Sequence, residues 1–202
     1  HVSTAGSQKY PFKDVFFNIS NQTYCSYINA FTTNTMTSYP VASMSEAQLL
    51  KLADVYMDCV FNPFIYKEPN LFKREAWRYE KENEGAPLNL TGIIYSEMQG
   101  STDGIENAEV RNCFKALFPN GTMSNASGGT PEAIPTLTYE DVLKVHETYY
   151  HPSNALIVLY GDLDYRSFLK LLDENYLSQY DKKAITVDYK DEKPFTTVAN
   201  KT

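Results

Sequence analysis

Apolar residues recur at helical spacing in several stretches of the chain. In "SEAQLLKLADVYMDCVFNP", residues 45–63, they form a continuous stripe, and Asn62-Pro63 ends the pattern. Ser45 and Gln48 have the spacing of a capping box, and Thr138 and Asp141 have the same spacing at the start of "TYEDVLKVHETYY". A last helix is predicted from Asp164 in "DYRSFLKLLDENYLSQ". These stretches predict amphipathic helices beginning near residues 45, 138 and 164.

Two other stretches have the pattern of strands. Residues 24–43, "YCSYINAFTTNTMTSYPVAS", alternate and are rich in Tyr, Thr and Val, with "TNT" between the halves, which predicts a strand pair. The continuous apolar run "ALIVLYG", residues 155–161, predicts a buried central strand. The order of elements predicts an α+β fold with a mixed sheet and helices packed on one face. The polar, charged chain from residue 182 onward predicts a linker or tail.

Composition narrows the function classes. The net charge of −7 and the pI near 5.0 argue against nucleic-acid binding, which needs a basic face. No apolar run reaches the ~20 residues of a membrane span. The cysteines, Cys25, Cys59 and Cys113, form no C-x-x-C motif, which favours buried reduced thiols. Against a reducing compartment stand six N-x-S/T triplets, at Asn18, Asn21, Asn89, Asn120, Asn125 and Asn200. A cytoplasmic or organellar location is favoured over secretion, and the compartment stays open.

Glu97 is the residue that does not fit its pattern. If "GIIYSEMQG", residues 92–100, continues a helix from Leu90, then Leu90, Ile93 and Ile94 share one face, and Glu97 takes the next position of that face. A carboxylate aimed at a core is costly unless a partner neutralises it. A salt bridge to Arg or Lys, a helix offset by one residue so that Glu97 faces water, a metal ion and a catalytic role all remain open. His146 and His151 are explained by a satisfied core position or a helix terminus.

Several blocks, read together, resemble one protein family. They are "GSQKYPFKDVFF", "INAFTTNTMTSYP", "EAWRYE", "GIIYSEMQG", "SGGTPEAIPTLTYEDVLKVHETYYHPSNA" and "YGDLD", in this order over residues 6–164. They resemble the presequence-protease and falcilysin branch of the pitrilysin/insulin-degrading-enzyme family of zinc metallopeptidases. The resemblance implies a clamshell of several domains that encloses and degrades unstructured peptides. The implied partners are peptide substrates and the remaining domains of the same chain, without nucleic acid or membrane.

The resemblance also implies a zinc site. In the family, the two histidines of an H-x-x-E-H helix bind Zn²⁺, the Glu between them activates water, and a later Glu is the third ligand. The block "IIYSEMQG" makes Glu97 the third ligand, and "HVSTAGS" aligns His1 with the second histidine. The first histidine and the catalytic Glu would lie before residue 1, so no catalytic residue is assigned here. Two interpretations stay open: an N-terminally truncated peptidase, expected to be inactive alone, or a non-catalytic homologue acting as a scaffold or peptide-binding subunit.

Substrate residues follow from the same resemblance. In the family, an edge strand pairs with the substrate backbone, which here implicates Asn29, Ala30, Phe31 and Thr32. The competing interpretation is that Phe31 fills the core and Asn29 hydrogen-bonds a turn. Residues 1–181 are then part of an N-terminal catalytic domain, and residues 182–202 a linker or tail. Uncovered sheet edges in such a piece predict marginal stability or self-association.

Overall fold

Helices dominate the computed structural model, which describes residue 1 and residues 5–198, without the side chain at position 16. The helices are α1 (Val15–Gln22), α2 (Glu46–Phe61), α3 (Asn70–Glu75), α4 (Ile93–Thr102), α5 (Ile105–Leu117), α6 (Tyr139–Tyr149) and α7 (Tyr165–Asn175). The strands are β1 (Cys25–Ile28), β2 (Phe31–Thr32), β3 (Thr37–Ser38), β4 (Val41–Ser43), β5 (Arg78–Glu80) and β6 (Asn89–Thr91). Short 3-10 turns lie at Phe64–Tyr66, Thr122–Ser124, Ile134–Thr136, Pro152–Asn154 and Leu177–Gln179.

The chain divides into two compact units. The first contains residues 1–31, 38–75 and 137–185, and the second contains residues 32–37, 76–136 and the chain from 186 onward. The strands form three two-stranded sheets, β1 with β4, β2 with β3, and β5 with β6. The predicted strand pair within residues 24–43 is confirmed, because β1 pairs with β4 in antiparallel register, Cys25 opposite Ser43 and Ile28 opposite Val41.

The predicted buried strand at 155–161 is wrong. The structure assigns no helix or strand there, and Leu156, Val158 and Tyr160 are 89%, 74% and 96% exposed. An apolar run becomes a buried strand only when neighbouring strands bond to its backbone. Among the described residues, no strand pairs with the segment 155–161.

Helix α2 organises the core of the first unit. Leu52 and Cys59 of α2 pack with Val15 and Ile19 of α1, and all four are buried. The helix ends before Asn62, as predicted from Asn62-Pro63. The predicted capping box at Ser45 is wrong, because the Ser45 side chain makes no capping hydrogen bond, whereas its N–H donates to Ser43 Oγ at 3.1 Å.

The capping box of α6 is confirmed. Asp141 N donates to Thr138 Oγ1 at 3.2 Å, and Thr138 N donates to Asp141 Oδ2 at 2.9 Å. Two of the backbone donors that a helix start leaves without partners are therefore satisfied.

The segment "KYP" is fastened to the same unit through Asp54 of α2. Lys9 Nζ and the Tyr10 hydroxyl both donate to Asp54 Oδ2, and the Tyr176 hydroxyl donates to Asp54 Oδ1 at 2.7 Å. Tyr176 follows α7, whose Phe168 and Leu172 are buried. Asp54 therefore joins the N-terminal segment, α2 and the end of α7.

In the second unit, a close backbone contact precedes α4. The carbonyl oxygen of Ala76 accepts a hydrogen bond from Tyr95 N at 3.3 Å. A Cβ atom at Gly92 would lie 2.2 Å from that oxygen, so the contact requires glycine at this position.

All three cysteines are free, in agreement with the prediction of reduced thiols, but only Cys59 is buried, while Cys25 is half-buried and Cys113 exposed. Within residues 5–198, no helix combines the length and the hydropathy that a membrane crossing requires. Asn200 lies outside the described residues.

Candidate peptide-binding and metal-ligating residues

Asn29 and Ala30 form the connection that leads from β1 into β2. Asn29 N donates to Pro40 O at 3.1 Å, and its carbonyl accepts from the Tyr56 hydroxyl at 2.6 Å. Its side-chain Oδ1 accepts from Ala30 N at 2.8 Å, as in a turn. The backbone of Asn29 is thereby held by Pro40, which precedes β4, and by Tyr56 of α2. Strand β2 therefore begins from a defined position.

Phe31 and Thr32 constitute β2 and are both exposed, Phe31 to 46%. The part of the competing interpretation in which Phe31 fills the core is therefore wrong, whereas Asn29 does hydrogen-bond the backbone of a turn. Thr33 N donates to Met36 O at 2.8 Å and closes the turn toward β3. In the described part of the chain, β2 pairs with β3 alone, so its other edge is not occupied by a strand. Such an edge can accept an extended peptide by main-chain hydrogen bonding.

The prediction that Glu97 points into a core is wrong. Helix α4 begins at Ile93 rather than near Leu90, Glu97 is exposed, and α4 has no buried residue among those described. Ile93, on the supposed inner face, is 45% exposed. The apolar residues do recur at helical spacing, but Ile93 and Glu97 on that face are exposed and Ile94 is only half-buried.

Glu75 is a buried carboxylate that the sequence argument missed. Only 5% of the residue is exposed, Arg74 Nε donates to its Oε1 at 2.7 Å, and His1 Nδ1 lies 3.4 Å from its Oε2. Burial raises the pKa of Glu75, but the hydrogen bonds from His1 and Arg74 outweigh it and hold that pKa below its usual value. A signal was available, because Glu75 follows the apolar Leu71 and Phe72 at helical spacing.

These residues do not make a complete metal site. In the described part of the chain, no group of three or more His, Cys, Asp or Glu side chains could hold a metal ion. His1 belongs to the first unit and Glu97 to the second. A zinc site needs at least three protein ligands, so His1 and Glu97 are insufficient by themselves, and their assignment as ligands stays a prediction.

His146 has a structural role, as expected. It is buried, its Nε2 lies 2.8 Å from Val60 O, and its Nδ1 lies 2.8 Å from the Tyr66 hydroxyl. His151 begins the turn of "HPSN" and accepts a hydrogen bond from Ser153 N. Asn154 donates its amide to Tyr149 O at 2.9 Å. These motif residues set the turn after α6 and the packing of α6 against the end of α2.

A polar cleft of about 480 Å³ lies in the first unit and contains none of the predicted site residues. Its lining includes Lys9, Asp58, Asn62 and Tyr176. The buried carboxylate of Asp58 already accepts hydrogen bonds from Lys9 N at 2.9 Å and from Asn62 Nδ2 at 3.0 Å. The lining of the cleft therefore includes the contact that holds the N-terminal segment at Lys9 to Asp58 of α2.

Curated proteins similar to this chain include presequence proteases. The chain is 41% identical over 184 residues to the mitochondrial presequence protease of Drosophila melanogaster, with 88% of the chain and 17% of that protein covered. It is 38% identical over 181 residues to presequence protease 1, chloroplastic/mitochondrial, of Arabidopsis thaliana, covering 90% of the chain and 17% of the relative. It is 36% identical over 198 residues to protein HypA of Clostridium perfringens, covering 98% and 20%.

Solved structures share the fold. A protease from Helicobacter pylori matches with a TM-score of 0.74 and 20% identity, over 96% of this chain and 42% of that one. The crystal structure of pitrilysin matches with a TM-score of 0.64 and 21% identity, over 95% of this chain and 19% of that one. The chain is therefore similar in sequence to presequence proteases and HypA, and it shares its fold with pitrilysin and the Helicobacter pylori protease. The α+β fold class, with helices and small sheets of the pitrilysin type, is confirmed.

Two further findings concern how much of these relatives the chain represents. The sequence model described as "Peptidase M16 inactive domain" matches residues 136–202. The chain spans about a fifth of the length of the curated relatives described above. The similarity therefore concerns one part of those proteins, and the activity of a protein of that full length is a separate question.

Proposed function

We propose that residues 1–202 are part of a zinc-dependent oligopeptidase of the presequence-protease type that degrades unstructured peptides. Residues 1–181 would belong to its N-terminal catalytic domain, and residues 182–202 to a linker or tail. Identities of 36–41% with presequence proteases and HypA over most of the chain support this assignment. A location in the cytoplasm or in an organelle agrees with relatives named as mitochondrial or chloroplastic.

The observation that carries the proposal is the edge of β2 beside which no other strand lies among the described residues. Phe31 and Thr32 are exposed and pair on one side with β3, while Asn29 is held by Pro40 and Tyr56. A peptide added along this edge is bound mainly through its backbone, which reads little of its sequence. That mode of binding suits an enzyme that acts on many unstructured peptides.

His1 and Glu97 are proposed as two ligands of a zinc ion whose remaining ligand lies outside residues 1–202. When bound, the ion would polarise a water molecule for attack on a peptide carbonyl. The contact between Glu75 Oε2 and His1 Nδ1, at 3.4 Å, supports the assignment of His1, because metal-binding histidines commonly have a carboxylate partner at one ring nitrogen. The general base is assigned to none of the described residues.

The metal assignment is tested by Glu97→Gln in the longer protein, with Glu109→Gln as the matched control. Both glutamates are exposed and lie on consecutive helices, α4 and α5. We expect Glu97→Gln to remove stoichiometric zinc and peptide hydrolysis together, and Glu109→Gln to retain both. A Glu97→Gln protein that still contains one zinc per chain would refute the ligand assignment.

A second function remains in competition, a non-catalytic subunit that binds peptides or acts as a scaffold. The match of residues 136–202 to a domain described as inactive favours it. The coding sequence immediately before residue 1 separates the two. An H-x-x-E sequence there supports the peptidase, and any other sequence supports the non-catalytic subunit.

A further inference from the structure

The chain beyond residue 186 is fastened to a turn-rich loop of the second unit. Thr122 N donates to Lys190 O at 2.8 Å, and Lys190 N donates to Thr122 Oγ1 at 2.9 Å. The Glu192 carboxylate accepts from Asn120 N at 2.7 Å and from Asn120 Nδ2 at 3.3 Å. We call these two segments, residues 189–192 and 120–125, the tail clasp.

The tail clasp is bonded in turn to the hairpin that carries β2. Asn34, in the turn between β2 and β3, donates its side-chain amide to Asn125 O at 2.7 Å and to Thr122 O at 3.2 Å. The Tyr189 hydroxyl donates to Thr35 O at 3.2 Å. Both donor hydrogens of the half-buried Asn34 amide are therefore used by the loop 120–125.

We propose that Asn34 is a positioning residue for the peptide-binding edge of β2, and that the tail clasp holds the loop to which Asn34 is anchored. The inference rests on the proposed function of β2. The tail would then act on peptide affinity through Glu192, Thr122 and Asn34 without touching the peptide. This role concerns the segment that the sequence describes only as a linker or tail.

The size of the hairpin is the physical reason. Strands β2 and β3 have two residues each, and so short a hairpin is not stable without contacts to other parts of the protein. A bound peptide needs the main-chain groups of Phe31 and Thr32 in a fixed orientation. If the turn is free to move, the cost of ordering it is subtracted from the binding free energy.

The experiment compares Asn34→Ala and Asn34→Asp with the control Asn18→Ala. Asn18 also donates its side-chain amide to two backbone carbonyls, Lys13 O at 2.8 Å and Asp14 O at 3.3 Å, but it lies on α1. Asn34→Asp keeps the shape of the side chain and replaces the donor by an acceptor that faces two carbonyls. For the tail, Glu192→Ala is compared with Asp188→Ala, whose residue is exposed.

Two measurements are made on the 202-residue protein: amide hydrogen exchange, and the Kd for a fluorescein-labelled unstructured peptide of mixed apolar and polar residues. We expect both Asn34 variants to accelerate exchange of the Thr33 amide and to weaken peptide binding by about three- to tenfold, the effect of one or two hydrogen bonds. Glu192→Ala should accelerate exchange of the Thr122 amide and weaken binding in the same direction. Asn18→Ala and Asp188→Ala should change neither quantity.

The two proposals fail in different ways. If the unmodified protein binds no unstructured peptide while the Asn34 variants exchange faster at Thr33, the function proposed for β2 fails and the anchoring of the hairpin stands. Unchanged exchange at Thr33 in folded Asn34→Asp protein, verified by circular dichroism, overturns the anchoring. Peptide affinity that is unaffected by Asn34→Asp and Glu192→Ala overturns the positioning role.

Discussion

His146 makes the stability of the first unit depend on pH in a direction that its surroundings determine. Its Nε2 lies 2.8 Å from the carbonyl oxygen of Val60, which can only accept, so Nε2 carries the hydrogen. In the neutral ring, Nδ1 therefore accepts from the Tyr66 hydroxyl, 2.8 Å away. Adding a proton at Nδ1 would place two donors against each other unless the Tyr66 hydroxyl turned.

The sign and the upper limit of the effect follow from this geometry. Burial lowers the pKa of His146, and the hydrogen bond to Val60 offsets only part of that change. The unfolded chain then binds the proton more readily than the folded protein, so acid favours unfolding. With an unfolded pKa near 6.5, a single histidine contributes at most about 1.4 kcal/mol of lost stability between about pH 7.5 and pH 5.5.

The assay is urea unfolding followed by far-UV circular dichroism across that pH range, on the wild-type protein and His146→Gln. Glutamine offers both a donor for Val60 and an acceptor for Tyr66, so the variant removes the titration while keeping the two contacts. We expect the free energy of unfolding to decrease more steeply in the wild-type protein than in His146→Gln as the pH is lowered. His151→Gln, at the less buried histidine after α6, is the control and should behave as the wild type. Identical pH profiles for wild type and His146→Gln would refute the reasoning.

Three further predictions concern single positions and are measured as changes in the free energy of unfolding. Thr138→Ala should lower the free energy of unfolding by about 1 kcal/mol, because the Thr138 hydroxyl caps α6. Ser45→Ala should lower it clearly less, because the Ser45 side chain makes no capping hydrogen bond. Equal losses would contradict the capping argument. Phe168→Ala should cost about 3–5 kcal/mol, because this side chain is 1% exposed, against less than about 0.5 kcal/mol for Leu169→Ala, at 53% exposure. Gly92→Ala should destabilise by more than about 1 kcal/mol through the clash with Ala76 O, whereas Gly100→Ala, in open space on α4, should stabilise by up to about 1 kcal/mol; a neutral Gly92→Ala would show that the backbone can yield there.

Elements specified by neighbouring residues could be predicted from the sequence. The capping box at Thr138 and the stop at Asn62-Pro63 depend on contacts within a few residues, and the strand pair joins residues no more than 18 positions apart, Cys25 and Ser43. The structure contains all three. The Ser45 prediction failed although the spacing was right, because Ser43 supplies the partner of the Ser45 N–H. Spacing defines a capping box only when no competing hydrogen bond is closer.

Features that depend on distant partners could not be predicted in this way. The predicted inward face of α4 and the predicted strand at 155–161 both required other elements to cover them. Periodicity carries no information about those elements. Glu75 and His146 are buried because Arg74, His1, Tyr66 and Val60 satisfy their polar atoms, three of these from 74 to 86 positions away in the sequence. Which elements meet across such separations is decided by the tertiary fold, and the family resemblance supplied only the fold class.

The exposed run at 156–160 has a consequence for any concentrated sample of this polypeptide. Leu156, Ile157, Val158, Leu159 and Tyr160 are uncharged, contain neither Pro nor Gly, and favour extended conformations. Segments of this composition nucleate cross-β fibrils when their backbone is accessible. We expect thioflavin-positive material to form from the wild-type chain and to be suppressed by a gatekeeper lysine, Val158→Lys, but not by Val110→Lys on the surface of α5.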